Sequence, residues 1–278
     1  MITVDWDKCN GCGVCIRRFA GYCISSQNNR PIIDQSLCNQ CQKCVAICPA
    51  QAFLTNNTPS QKINGVVCLP TEDLKELLAQ RRSVKKFTTK KVPDDVLRQI
   101  AGIASYAPNQ NKNIDIVVIN NADLLGLIDN EALAFVGGLY RWLFGVKPLA
   151  FFMGLFSNSV STIKKKMEYD LYCNKHIVKE NTSALFLAIG NPKVPVTKES
   201  AHYLLGTMIV YAQALGIGTC LMDSIRLSIN NSRRLRYKIN IPAGWKVLGA
   251  LAAGYSNENI INKPVGYEVN VHWNNVDG

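Results

Sequence analysis

Apolar positions along this chain recur in several rhythms, and each predicts a different element. In residues 72–80, Leu74, Leu77 and Leu78 fall at helical spacing. A second helix is predicted to open at Pro93, Asp94 and Asp95, since a proline and two acids suit a first turn. Val96, Ile100 and Ile103 would form its buried stripe. Residues 114–119, 184–189 and 247–253 are short apolar runs and read as strands. Residues 199–216 form an apolar helix, polar mainly at His202, Thr207 and Gln213; a helix that apolar is buried on most sides and suits a subunit interface. The most apolar stretch is 132–156, but Arg141, Lys147 and Pro148 interrupt it. A membrane span needs roughly 20 uninterrupted apolar residues, so this stretch reads as buried or amphipathic helix, and no membrane partner is expected. Residues 55–66 are polar, contain Pro and Gly, and read as a linker.

Composition places these elements in a globular chain. Of 278 residues, 47% are hydrophobic and 18% charged, which excludes disorder and allows two domains, drawn here as 1–62 and 63–278. Met1 to Asp7 is polar and acidic, unlike a secretory signal, so a cytoplasmic protein is expected. The net charge of +11 raises nucleic acid as a partner. The Lys and Arg are dispersed, however, and the longest run, Lys164-Lys165-Lys166, reads as a solvated helix face. No nucleic-acid partner is expected.

The cysteines carry the first chemistry. Eight of the eleven lie between Cys9 and Cys48, too closely spaced for good disulfide pairing and without a secretory signal. Cys-x-x-Cys pairs can bind zinc or act in redox exchange, but three cysteines in C-x-x-C-x-x-C register suit one iron–sulfur cubane better, because a single loop can wrap several irons. The front also repeats itself at an offset of 29 residues: Val4-Asp5, Cys9-Asn10, Cys12 and Cys15 recur as Ile33-Asp34, Cys38-Asn39, Cys41 and Cys44. Each half reads as a short strand, a ligand loop and a following helix or turn.

This front resembles the bacterial two-cluster ferredoxin, and "CNQCQKCVAICP" (Cys38 to Pro49) fits that family's spacing completely. The fourth cysteine of each run ligates the other cluster in that family. The resemblance therefore implies one [4Fe-4S] cluster on Cys9, Cys12, Cys15 and Cys48, and a second on Cys38, Cys41, Cys44 and Cys23. One departure stands out. Cys23 follows Cys15 by eight residues, where the family usually has four, and Ile24 replaces the proline. Either residues 16–22 are an insertion that loops out, or the second site has three cysteines. Cys68, Cys173 and Cys220 stand alone and read as buried structural thiols.

Four stretches further on are similar, in order, to the nitroreductase family, which carries FMN: "RRSVKKF…VPDDVL" from Arg81, "APNQN" from Ala107, "LGIGTC" from Leu215, and "GWKVLGALAAGYS". The fold so implied is α+β, a small ferredoxin-like two-cluster domain followed by a nitroreductase-like FMN domain. Elementary chemistry agrees with it. A phosphate dianion suits two guanidiniums and a hydroxyl, and Asn and Gln offer the donor and acceptor ends that a flavin edge requires. The resemblance implies that Arg81, Arg82 and Ser83 hold the ribityl phosphate and that Lys85 reaches toward the flavin. Pro108, Asn109 and Gln110 would come from the partner of a homodimer, with Asn111 and Asn113 competing for one role because the loop is about one residue short. Leu221, Met222, Asp223 and Ser224 would lie along the ring. Lys263 stands where the family has a basic residue for the phosphate. His176, His202 and His272 are scattered and form no acid–base constellation, as suits an enzyme whose cofactor carries the chemistry.

The fusion implies an FMN-dependent oxidoreductase acting on nitroaromatics, quinones or a related small planar acceptor, with electrons relayed through the clusters. The alternatives are a non-catalytic electron carrier or redox sensor, and a specialised flavin dehydrogenase. Ferredoxin, NADH and NADPH all remain open as donors.

Overall fold

The computed structural model describes residues 1–19, 21–63, 65, 67–108, 113–145, 158–263, 265–266 and 269–273. The front is built on two small sheets. Strand β1 (Ile2–Val4) pairs antiparallel with β4 (Phe53–Thr55), which turns back into β5 (Thr58–Pro59). Strands β2 (Ile24–Gln27) and β3 (Arg30–Ile33) form a hairpin whose turn residues, Asn28 and Asn29, both take positive φ, as a type I′ turn requires. Helices α1 (Val14–Phe19) and α2 (Lys43–Ile47) complete the unit. Ile2, Ile24 and Phe53 form its core together with Cys15 and Cys44.

The sequence repeat recurs in the hydrogen bonding. The Asp5 carboxylate accepts from the Asp7 amide at 3.2 Å, and Asp34 accepts from Ser36 at 2.8 Å. Asn10 caps the Cys12 amide and Asn39 the Cys41 amide, both at 3.2 Å. Each ligand loop is thus held by the same two side chains. Two expectations need correction. The insertion after Cys15 does not loop out: residues 16–19 extend α1, whose C-terminal turn tightens through the Tyr22 amide to the Phe19 carbonyl before Gly21 takes φ 86° and returns the chain to Cys23. The linker also starts later than its composition suggests. Thr55, Thr58 and Pro59 belong to the front sheet, because Asn56 and Asn57 adopt the positive φ of a tight hairpin.

The rest of the chain folds around a four-stranded antiparallel sheet in the order β6-β7-β9-β8, formed by Ile114–Ile119, Ala184–Gly190, Lys246–Gly254 and Gly218–Leu221. The central strands are buried on both faces, which is why they read as continuous apolar runs. Along β7, Leu185, Leu187 and Ile189 join one core, with α5 (Ala122–Phe144). Ala184, Phe186 and Ala188 join the opposite core, with α4 (Asp94–Gly102) and α7 (Thr197–Ala214). Between α5 and β7 lies α6 (Asn158–Glu168), on which Lys164, Lys165 and Lys166 are exposed as anticipated. Helix α3 (Thr71–Gln80) precedes this domain's first loop, while α8 (Asp223–Asn231) and α9 (Arg233–Lys238) follow β8.

The α4 stripe falls on Leu97 and Ile100, with Val96 and Ile103 only half-buried. The helix ends at Gly102 and passes into a 3-10 turn, Ile103–Tyr106, which rotates Ala104 rather than Ile103 into the core. In α7, Ala201, Leu204, Leu205 and Met208 face the sheet, while the opposite side stays open, with Tyr203 58% exposed. Of the apolar stretch 132–156, residues 132–144 lie in α5 and residues 146–156 outside the described residues. Among the described residues no helix is long and apolar enough to cross a membrane. Cys220 is buried, as expected of a lone thiol, but Cys68 and Cys173 are exposed; Cys173 lies on the outer side of the turn Tyr169–Asn174, whose Leu171 packs on the core.

Candidate cluster and flavin sites

The eight front thiols fall into two groups of four, and both groups cross the repeat. Cys9, Cys12, Cys15 and Cys48 line one pocket with Pro31 and Phe53. Cys48 arrives from the end of α2, and its Sγ accepts the Ala52 amide at 3.4 Å. The second group is Cys38, Cys41, Cys44 and Cys23. Cys23 lies within hydrogen-bonding reach of Cys38 and feels the charge of Cys41, and Cys44 feels Cys38, Cys41 and Cys23. The hairpin β2–β3 holds Cys23 there, with the Asp34 amide donating to its carbonyl at 2.8 Å.

Burial sets the acidity of these thiols. It pushes Cys44 up to about 12 and raises Cys15 and Cys23 as well, and neighbouring cysteines add to the rise. Thiolates in such sites need a metal to offset their desolvation. All eight cysteines are free of disulfides. Among the described residues no group of three or more His, Cys, Asp or Glu is placed to hold a single metal ion. Four soft thiol donors gathered in each group are the donor set that an iron–sulfur cluster takes.

The second candidate site lies at the β8 edge of the large sheet. The strap of residues 83–87 runs along that edge: Ser83 bridges Thr219, the Val84 amide donates to the Thr219 carbonyl at 3.0 Å, and Phe87 bridges Ser256. Val84 and Phe87 are buried beneath it, so Ser83 and Lys85 face outward. Two glycines make the close approach possible. A Cβ on Gly218 would lie 2.6 Å from Val84 Cγ2, and one on Gly254 would lie 2.8 Å from the Phe87 ring. Among the described residues no ion pair engages Arg81 or Arg82, whose guanidiniums are half-buried at the head of the strap. Arg82 Nη1 donates to the Arg81 carbonyl, and guanidiniums without a carboxylate partner suit a phosphate.

Leu221, 55% exposed, ends β8 beside this strap, Met222 is buried, and Asp223 and Ser224 open α8. Asp223 is paired with Arg226 at 3.0 Å. Lys263 reaches Glu76 on α3 at 2.6 Å, an interaction that lowers the Glu76 carboxyl and raises the Lys263 ammonium.

Asn109, Gln110 and Asn111 fall outside the described residues; Pro108 and Asn113 flank them, and Asn113 leads into β6 at the far edge of the sheet. β6 starts level with Lys246 at one end of β9, whereas the strap sits level with Ala253 at the other. Four strand spacings and seven residues of strand put them roughly 30 Å apart. In one chain, Asn113 and Arg82 do not share a site.

Some supporting residues have no local sequence signal. Glu258 accepts the Lys85 amide at 3.1 Å from 173 residues away. The Glu180 carbonyl and the Asn181 side chain hold Phe87 from the loop before β7. Burial raises the Cys220 thiol, while the charges of Lys179, Lys85 and Lys166 pull the other way and that of Glu258 adds to the rise. His176, read as scattered, contacts the Asp129 carboxylate at 2.6 Å, and that carboxylate also accepts the Ile177 and Val178 amides at 2.7 and 2.8 Å. The pair fastens the 175–178 turn to α5.

Residues 78–255, more than half of the chain, match the nitroreductase family, and the chain belongs to that family. Residues 30–53 match a 4Fe-4S binding domain, a segment that holds Cys38, Cys41, Cys44 and Cys48. A search of curated protein sequences found no match. Several solved structures share the fold. A nitroreductase with bound FMN from Desulfitobacterium hafniense is 16% identical at a TM-score of 0.56, over 70% of this chain and 94% of its own. A second, from Bacteroides fragilis and also with bound FMN, is 18% identical at 0.55, over 73% and 100%. An iodotyrosine deiodinase bound to FMN and 3-iodo-L-tyrosine is 18% identical at 0.53, over 72% and 98%.

Proposed function

We propose that this chain is an FMN-dependent oxidoreductase, a homodimer whose front passes electrons through two [4Fe-4S] clusters to or from the flavin, and which reduces a small planar acceptor such as a nitroaromatic or quinone. The observation that carries this reading is the division of the front thiols into two groups of four, each completed by a cysteine from the other half, ahead of a nitroreductase-family domain. In this reading Cys9, Cys12, Cys15 and Cys48 hold one cluster, Cys38, Cys41, Cys44 and Cys23 hold the other, and residues 1–62 form the electron-transfer domain.

The flavin site is proposed on the strap. Arg81, Arg82 and Ser83 take the phosphate, with Lys85 oriented toward the ring by the anchoring of its own amide. Leu221 offers an exposed apolar edge to one side of the ring, and Met222 to Ser224 continue along it. Lys263 is left out of the phosphate site, since Glu76 holds it. The residues from Pro108 to Asn113 serve the site of the partner subunit, because within one chain Asn113 lies across the sheet from the strap. Bound FMN supplies two-electron chemistry and exchanges electrons singly with the clusters. The protein's part is to bind, orient and shield. FMN in two structures of the same fold and an iodinated aromatic amino acid in a third support a planar ring as ligand. The buried thiols favour a reducing compartment such as the cytoplasm.

The test is anaerobic purification followed by cofactor counting and turnover. About eight irons and one FMN per chain, with nitroaromatic reduction driven by reduced ferredoxin, NADH or NADPH, are expected. Flavin without turnover on any acceptor would favour a carrier that serves only a protein partner.

A further inference from the structure

The 29-residue repeat makes each ligand loop a control for the other, and they differ at one coupled pair of positions. In the first loop, Arg17 Nη1 donates to the Cys12 carbonyl at 3.0 Å, so a guanidinium rests on the backbone between two cysteines of the first group. Gly13 makes room for it: a Cβ there would lie 3.0 Å from Arg17 Nη1. Asn29 braces the same loop through the Gly11 carbonyl at 3.2 Å. In the second loop the counterparts of Gly13 and Arg17 are Gln42 and Ala46. Gln42 keeps the left-handed backbone of Gly13, with φ 59° against 69°, but carries a side chain where the guanidinium would sit. The only basic residue between Cys38 and Cys48 is Lys43, exposed in the first turn of α2, with no hydrogen bond or ion pair recorded among the described residues.

Reducing a cluster adds one negative charge to it, and a fixed cation nearby favours the reduced form. Arginine holds its charge at every accessible pH. We propose that Arg17 tunes the cluster on Cys9, Cys12, Cys15 and Cys48 to the higher reduction potential of the two, so that a single electron entering the front comes to rest there. This rests on the two-cluster reading above and adds a direction within it: the Cys38 group gives and the Cys9 group receives. Arg17 acts through the loop and is a tuning residue, not a ligand.

The experiment is an EPR-monitored potentiometric titration of the holoprotein, with iron quantitation of each variant. In the native protein two reduction steps are expected. Arg17→Gln should move the higher step to more negative potential and leave the other in place, and Arg17→Lys, which keeps the charge, should restore much of the shift. The double variant Gln42→Gly with Ala46→Arg should move the lower step upward. Unmoved steps in Arg17→Gln with full iron, or a shift of the lower step instead, would overturn the proposal while leaving two clusters standing. Fewer than two clusters in the native protein would overturn the reading beneath it, and this proposal with it.

Discussion

At the scale of single residues, what separates the basic side chains is whether a carboxylate holds them among the described residues. Arg81 and Arg82 head the strap without an ion pair among the described residues, whereas Lys263 is taken by Glu76. The sequence pattern singled out all three, because a basic type at a family position is visible and its partner is not. Glu76 and Lys263 meet across 187 residues of chain, and only folding reveals it. Arg82→Ala should therefore weaken FMN binding roughly 10- to 100-fold, the equivalent of one charge-assisted contact of about 1.5–3 kcal/mol. Iron content should stay near normal. Lys263→Ala should change flavin affinity little. Equilibrium dialysis with flavin fluorescence separates the two, and full flavin retention by Arg82→Ala would remove that residue from the site.

At the scale of elements, β6, β7 and β9 were legible to within a residue as short apolar runs, whereas β8, four residues that open on Gly218, reads as part of a glycine-rich turn and β5 as linker. The α4 stripe was not legible either, since a helix that passes into a 3-10 turn changes its period. The crossed thiols were legible only through a family resemblance; spacing alone left open whether Cys23 took part. The extra turn of α1 and the β2–β3 hairpin bring it back. The strap's attachment rests on glycines whose purpose no sequence shows. Gly218→Ala would drive a methyl into Val84, and overpacking of this kind costs about 1–3 kcal/mol. It should lower the melting temperature and release FMN together. A variant that keeps FMN fully while losing stability would mean that the strap does not position the flavin.

For the whole molecule, the geometry of the sheet argues for two copies. Asn113, at the start of β6, lies roughly 30 Å from Arg82 within one chain, so a flavin touching both requires a second chain. The open face of α7, with Tyr203 exposed, offers a surface for it. Sedimentation equilibrium should give a dimer, and dilution to monomer should release FMN. A monomer that retains FMN would contradict the shared site.

The central claim is that the front cysteines are an electron path to the flavin, and Cys48→Ser tests it most directly. Cys48 follows Cys15 by 33 residues yet lines the same pocket as Cys9, Cys12 and Cys15. Anaerobic stopped-flow on this variant, with iron quantitation and low-temperature EPR, should find the first cluster damaged and the second largely intact. Reduction of FMN by ferredoxin should slow markedly, while any direct reduction by NADH or NADPH persists, because the strap and β8 are untouched. Unchanged ferredoxin-driven bleaching, with the first cluster demonstrably broken, would contradict the account.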